Sequence, residues 1–263
     1  MQRSVPEKTV YYKDPLHDDF AGTNITNVTV DETFPYEHKN PLWRFFAWIA
    51  YYLIAMPLVW FYMRVLLQVK VVNRKAMKKV KKTPCFLYGN HTGFYDAFTP
   101  NLLSFPRRNK IVVSSDTVSI KGLKSVVQML GAIPVPTKRS GMKRFLRAIE
   151  QDHETCNVTV YPEAHIWPYY TGVRPFEGTS FTYPVRYGAP TVAFFTAYTK
   201  PKGFLSCFRK ANVTVYVSDP MFPDEGLSGK QAQENLREKV YAFMAEKSAL
   251  SDYAVVEYVQ VEN

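Results

Sequence analysis

Two short stretches of this 263-residue chain hold side chains that could do chemistry. The first is Asn90-His91-Thr92-Gly93-Phe94-Tyr95-Asp96, directly after the strand-like run from Cys85 to Gly89. On one regular helix His91 and Asp96 would point about 140° apart. At a strand-to-helix turn eased by Gly93, however, an aspartate one turn into the helix reaches back to the imidazole. Such a carboxylate fixes the tautomer and leaves the second ring nitrogen to take a proton from an alcohol. A purely structural His–Asp contact is the alternative. The second stretch is Tyr161-Pro162-Glu163-Ala164-His165-Ile166-Trp167-Pro168, again after a strand-like run. Glu163 is a candidate to position a substrate or brace its loop, and His165 is a candidate second base. In open α/β sheets ligands gather at the carboxyl ends of strands, so both stretches are expected to border one pocket.

The elements that must position them alternate. Runs at 85–88, 110–114, 132–135, 157–161, 191–195 and 213–217 read as strands bounded by Gly, Pro or Asn. Runs at 118–130, 142–152 and 229–250 read as helices, the last with Leu236, Val240, Phe243 and Met244 on one face. Strands alternating with helices imply an α/β layered domain with a parallel or mixed sheet. There is no GxGxxG, GxxxxGK[ST], HExxH or GxSxG, so dinucleotide, P-loop, zinc-protease and hydrolase-elbow chemistry lack their signatures. Three separated cysteines with no CxxC point away from a disulfide framework or thiolate metal site and toward a reducing compartment. No metal-ligand spacing is present, so no metal-dependent step is expected.

Ahead of this domain lies a different kind of sequence. Residues 1–40 carry four basic and seven acidic side chains and read as a polar, loosely structured arm, whereas the whole chain is +10. Asn24, Asn27, Asn90, Asn157 and Asn212 match the glycosylation sequon, and with no export signal ahead of them these are read as chance matches. Between Arg44 and Arg64 stand 19 uncharged residues, FFAWIAYYLIAMPLVWFYM. At about 1.5 Å per residue they could cross a hydrocarbon core of roughly 30 Å. Pro57 and the scattered Trp and Tyr residues favour a rival arrangement, two short helices broken at Pro57 and half-sunk in one leaflet. Residues 70–82 then hold seven Lys or Arg and no acid. Anionic headgroups attract such a run by about 1 kcal/mol per residue, which favours a cytoplasmic membrane surface over nucleic acid as the partner. The expected division is arm 1–40, membrane-binding segment 41–82 and α/β domain 83–263.

The two stretches resemble motifs of the lysophosphatidate acyltransferase family of glycerolipid acyltransferases: NHTGFYD its NHxxxxD motif, YPEAHIWP its FPEG-type motif. Lys121 with Gly131-Ala-Ile-Pro134-Val135 looks like the intervening motif, Arg174-Pro-Phe176-Glu177-Gly178 like the PFK-x-G segment, and Gly188-Ala-Pro-Thr-Val192 like the final strand. Order and spacing match over roughly residues 84 to 196. The resemblance implies an α/β layered sheet flanked by helices, with an N-terminal membrane-binding helical segment. It implies acyl transfer from acyl carrier protein or coenzyme A thioester, with no further cofactor, to the sn-2 hydroxyl of lysophosphatidate. His91 would be the general base, Asp96 its orienting partner and Glu163 a third site residue, with Asn90, Lys121 and Gly178 beside the substrate. The family's Gly-Thr-Arg is replaced here by Ala164-His165-Ile166. Lys138, Arg139 or Arg174 would then grip the acceptor phosphate, and the departure admits another lipid acceptor. A silent basic module that only docks on membrane is the reading outside enzymology.

Overall fold

The computed structural model describes residues 6–20, 28–203 and 206–261, so the sequons at Asn24 and Asn27 lie outside the described residues. Among these residues one sheet has seven strands in the order β2-β8-β7-β3-β6-β4-β5. They are β2 (Lys70–Val72), β3 (Phe86–Gly89), β4 (Asn109–Val113), β5 (Ala132–Pro134), β6 (Asn157–Val160), β7 (Thr191–Thr199) and β8 (Asn212–Val217). Strands β3 to β7 run parallel, and β8 turns back antiparallel on β7 with β2 parallel beside it. All six strands expected in the α/β region are present within a residue or two, except that β7 runs four residues further, to Thr199.

Alternation along β3 and β7 sets the layers, because successive strand side chains point to opposite faces. Phe86, Tyr88, Ala193 and Phe195 pack with Phe145 and Ile149 of the helix Met142–His153 and with Leu236, Val240 and Met244 of the helix Gly229–Ser248. Leu87, Val192 and Phe194 pack on the other face with Val59, Met63, Leu102 and Leu103. The helix expected over 118–130 is instead two, Ser115–Ser119 and Lys124–Met129. The first ends at Ile120, whose backbone is extended, and Gly122 in the turn that follows adopts φ +79°, a left-handed conformation that suits a residue without Cβ.

Two findings depart from the sequence expectations, and a third decides between two of them. Part of the arm is ordered: β1 (Lys8–Tyr12) pairs in parallel with β9 (Val256–Gln260), near the other end of the chain. The first strand of the main sheet, β2, lies in the basic stretch, so that stretch is an edge strand and a surface turn, not only a tether. The apolar run is one continuous helix over Pro41–Leu66, with no break at Pro57. Asn40 caps it by accepting from the Leu42 and Trp43 N–H groups. Widened π turns over Ile49–Ala55, just before Pro57, accommodate the missing donor and the ring's bulk within the helix. Ala47, Tyr51, Met56, Val59 and Met63 are buried against the domain, and Tyr51 Oη donates to Asn101 Oδ1 at 2.9 Å. The opposite face leaves Leu42, Phe45, Phe46, Leu53, Ile54, Leu58, Trp60 and Phe61 about half exposed or more.

Candidate active site

The parallel pairing of β3 with β6 matches residue 88 to residue 160, an offset of 72, so the two chemistry-bearing stretches leave the sheet side by side. The same offset holds beyond the strands: the His91 N–H donates to Glu163 Oε2 at 3.3 Å. After β3 the chain turns into the 3-10 helix Phe94–Ala97, which carries Asp96 back under His91. His91 Nδ1 lies 3.0 Å from Asp96 Oδ2, and the same oxygen accepts from the Thr92 N–H at 2.6 Å and the Gly93 N–H at 2.9 Å. Gly93 is needed for space, since a Cβ there would stand 2.5 Å from the Tyr95 ring. Asp96 is fully buried and the His91 side chain is 26% exposed, so the carboxylate is sequestered while the imidazole remains reachable. With the Nδ1 proton donated to Asp96, Nε2 is left as the acceptor.

Tyr161 is a member of this site that the motif reading did not assign. Its ring stacks on the His91 imidazole with centroids 4.6 Å apart and planes 23° apart, and its edge meets Phe194. Its Oη donates to the Asp96 carbonyl. Burial first, and the Asp96 charge second, hold the phenol well above its ordinary pKa, so it stays a neutral donor. An aromatic face under the ring also favours imidazolium once a proton has moved. We expect Tyr161→Phe to keep most of the turnover and Tyr161→Leu to lower kcat up to about tenfold with little change in KM, as steady-state kinetics on the two variants would report. A strand-end aromatic was visible in the sequence, but only the register says which ring it meets.

Glu163 sits beneath the loop, fully buried, and is held by Arg174. Arg174 Nε is 3.4 Å from Glu163 Oε2, the Arg174 N–H donates to Oε1 at 3.2 Å, and Nη2 donates to the carbonyls of Glu163 (3.0 Å) and His165. Nη1 reaches the Pro15 carbonyl at 3.5 Å, and the guanidinium lies 5.0 Å over the Trp167 ring. Burial raises the Glu163 carboxyl above its ordinary value and lowers Arg174, each partner opposing the other's shift, as a costly buried ion pair requires. At 1% exposure, every contact given for the guanidinium is with the protein itself, whereas the resemblance made it a candidate phosphate grip. Ala164, where the family motif has Gly, is held at φ 62°, a left-handed conformation costing roughly 1 kcal/mol.

The arm closes over this loop. Trp167 Nε1 donates to the Asp18 carbonyl at 2.7 Å, the Phe20 N–H donates to the Ile166 carbonyl at 3.2 Å, and Tyr12, Phe20 and Tyr258 surround the buried Trp167 ring. His165 Nδ1 stands 3.6 Å from Asp19 Oδ2. Asn90 is also a brace: its amide donates to the Thr196 carbonyl at 3.1 Å and accepts from the Thr196 N–H at 2.7 Å, tying the motif to β7. Both polar ends thus bond within the protein. Lys121 is exposed in a turn beyond β4, and Lys138 and Arg139 are exposed beyond β5, three strands from β3 or roughly 14 Å. Gly178 is half-buried beside Glu234 of the last long helix. Cys85 is buried and its thiol is pushed up to about 12 by that burial, so it is inert packing. Among the described residues no group of three or more His, Cys, Asp or Glu side chains could hold a metal ion.

Against solved structures, the chain resembles the crystal structure of PlsC, the 1-acyl-sn-glycerophosphate (LPA) acyltransferase from Thermotoga maritima. The TM-score is 0.53 at 17% sequence identity, covering 80% of this chain and 93% of that one. This chain has the fold of that acyltransferase. No protein-family model and no curated protein sequence matches it. The shared fold is the mixed α/β sheet with flanking helices expected from the alternation of runs. Within it, the His91–Asp96 pair stands at the carboxyl end of a central parallel strand.

Proposed function

We propose that the chain is a membrane-associated 1-acylglycerol-3-phosphate O-acyltransferase, moving a fatty acyl group from an acyl carrier protein or coenzyme A thioester to the sn-2 hydroxyl of lysophosphatidate. The observation that carries this reading is the His91–Asp96 contact at 3.0 Å, built at the end of a central strand in the fold of a glycerolipid acyltransferase. His91 Nε2 takes the hydroxyl proton as the oxygen attacks the thioester carbonyl. The tetrahedral intermediate collapses with cleavage of the C–S bond, and the imidazolium returns its proton to the leaving thiolate. Asp96 holds the tautomer and offsets the positive charge, and Tyr161 supports the ring from below. The donor is already activated, so no covalent nucleophile is required. Glu163 acts through the His91 backbone, as a positioning residue braced by Arg174.

A second reading keeps the reaction and changes the acceptor. The buried Arg174, together with Ala164-His165-Ile166 in the motif, leaves this loop with no free cation for a dianionic phosphate. Purified protein in detergent, offered both donors and a panel of lysophosphatidate, other lysophospholipids and neutral lipid alcohols, separates the two. Turnover of lysophosphatidate supports the first, and turnover confined to other acceptors supports the second. Silence with every donor and acceptor would leave a basic membrane-docking module.

The outward face of the helix Pro41–Leu66 and the adjoining basic residues fit a phospholipid surface. One flank of the helix is bound to the domain through Tyr51, Met56 and Val59, so a spanning arrangement would drag Asn101 and Arg108 into hydrocarbon. Lying in one leaflet avoids that cost, and the excess of Lys and Arg at its end suits the cytoplasmic side. Deleting the helix would open the core. Charging the outer face with Leu53→Glu, Leu58→Glu and Phe61→Glu should abolish liposome pelleting while leaving the Tm in detergent unchanged. Pelleting that survives both these substitutions and a high-salt wash would refute the attachment.

A further inference from the structure

The connection from β7 to β8 leaves the sheet at the same end as the His91 loop, because β7 runs parallel to β3. Residues 200–211 between the two strands hold Lys200, Lys202, Arg209 and Lys210 and no acid. The short 3-10 helix Ser206–Phe208 presents the Phe208 ring at 72% exposure, above any residue on the outward face of the apolar helix. A buried cation anchors this connection. Arg209 is 8% exposed, and its Nη2 donates to the Lys202 carbonyl at 2.7 Å, which closes the loop on itself. Its Nη1 donates to the Leu67 carbonyl at 3.1 Å, where the apolar helix ends. One guanidinium therefore joins the loop to the helix whose outer face fits a phospholipid surface.

A lone exposed apolar ring is ordinary on a protein surface. This one stands among basic side chains in a loop tied to the end of an apolar helix, where Leu66 is exposed as well. A ring flanked by lysines with no acid suits the boundary between headgroups and acyl chains, the ring in the apolar part and the ammonium groups at anionic phosphates. Nucleic acid also takes basic and aromatic surface, but it gives no reason for the join to the helix. A helix lying in one leaflet sets the depth of the domain and leaves it free to rock. A second contact beyond the helix end removes that freedom.

We propose that the β7–β8 connection is a second membrane contact, in which Phe208 enters an anionic phospholipid leaflet and Lys200 and Lys202 meet its headgroups, fixing the tilt of the domain beside the helix. This inference rests on the attachment of the helix to a phospholipid surface and is independent of which acceptor the site takes. The chain carries its own probe position: Cys85 and Cys156 are buried, whereas Cys207, next to Phe208, is exposed. A thiol-reactive NBD dye therefore labels the loop. With vesicles of phosphatidylcholine and phosphatidylglycerol the NBD emission should rise and shift to the blue, and lipids bearing a nitroxide on the acyl chain should quench it. In unlabelled protein, Phe208→Ser should weaken vesicle binding about tenfold. Lys200→Gln with Lys202→Gln should also weaken it about tenfold, and only when phosphatidylglycerol is present. Because all three side chains are exposed, the Tm in detergent should stay native.

Protein that pellets with these vesicles while its NBD emission stays unchanged would overturn the second contact and leave the attachment of the helix standing. Failure of the native protein to pellet with them would overturn both. A blue shift that acyl-chain nitroxides do not quench would put Phe208 in a contact outside the leaflet and so also overturn the proposal. A shift on adding duplex DNA, with none on adding vesicles, would overturn it in favour of nucleic acid. A quenched blue shift in a protein that transfers no acyl group to any acceptor would uphold the contact while the acyl-transfer reading falls.

Discussion

His91→Ala is expected to lower acyl transfer by about 10²–10⁴-fold while KM, liposome binding and the melting temperature stay close to native. The reason is geometric. The imidazole is anchored on one side by Asp96 and stacked on Tyr161, yet its side chain is only partly buried, so truncation removes the base without opening the core. Asp96→Asn should also lower kcat. The amide oxygen can still accept from Thr92 and Gly93, but the pairing that fixes which imidazole nitrogen is bare is lost. Single-turnover assays with both donors, alongside circular dichroism to confirm folding, check the pair. Native rates in His91→Ala would remove the general-base role and with it the mechanism derived from the site.

The second large effect concerns stability. Arg174→Met should cost about 3–5 kcal/mol, because it strands the buried Glu163 carboxylate and leaves the carbonyls of Glu163 and His165 without their donor. For a chain of this size that is roughly a 10 °C fall in Tm. Pairing it with Glu163→Leu should recover much of the loss, since two apolar residues of similar volume can replace a buried ion pair at little cost. Thermal unfolding of the two single variants and the double variant gives the coupling directly. The alternative, in which Arg174 grips the acceptor phosphate, predicts the opposite pattern: native Tm and a raised KM for a phosphate-bearing acceptor.

The contrast between these residues shows which parts of the site were legible in the sequence. His91, Asp96 and Glu163 stand in strings whose residue types admitted either proton transfer or a structural contact and which the resemblance marked as site motifs, and the structure places them together. Arg174, Asn90 and Lys138 were candidates through the resemblance to the family's motifs, Arg174 and Lys138 as stand-ins for its absent Arg. Sequence does not say whether such a group faces a substrate or the protein's own backbone. Asn90 proves to pair with Thr196, and Arg174 with Glu163 and three carbonyls. Tyr161 was passed over because its role comes from the register of β3 against β6 and from nothing in its own neighbourhood.

The sequence by itself determined the alternation of strands and helices, the uncharged stretch between Arg44 and Arg64, the basic run after it and the order of the chemistry-bearing strings. These are local properties, set by periodicity, turn residues and composition over a few residues at a time. Tertiary structure alone decided that the apolar run is one helix bound along the domain, that β1 pairs with β9 from near the other end of the chain, and that Trp167 lies under the arm. Each depends on contacts between residues far apart in sequence. The energy of such a contact exists only once the sheet has brought both partners to one place, so no local pattern could announce it.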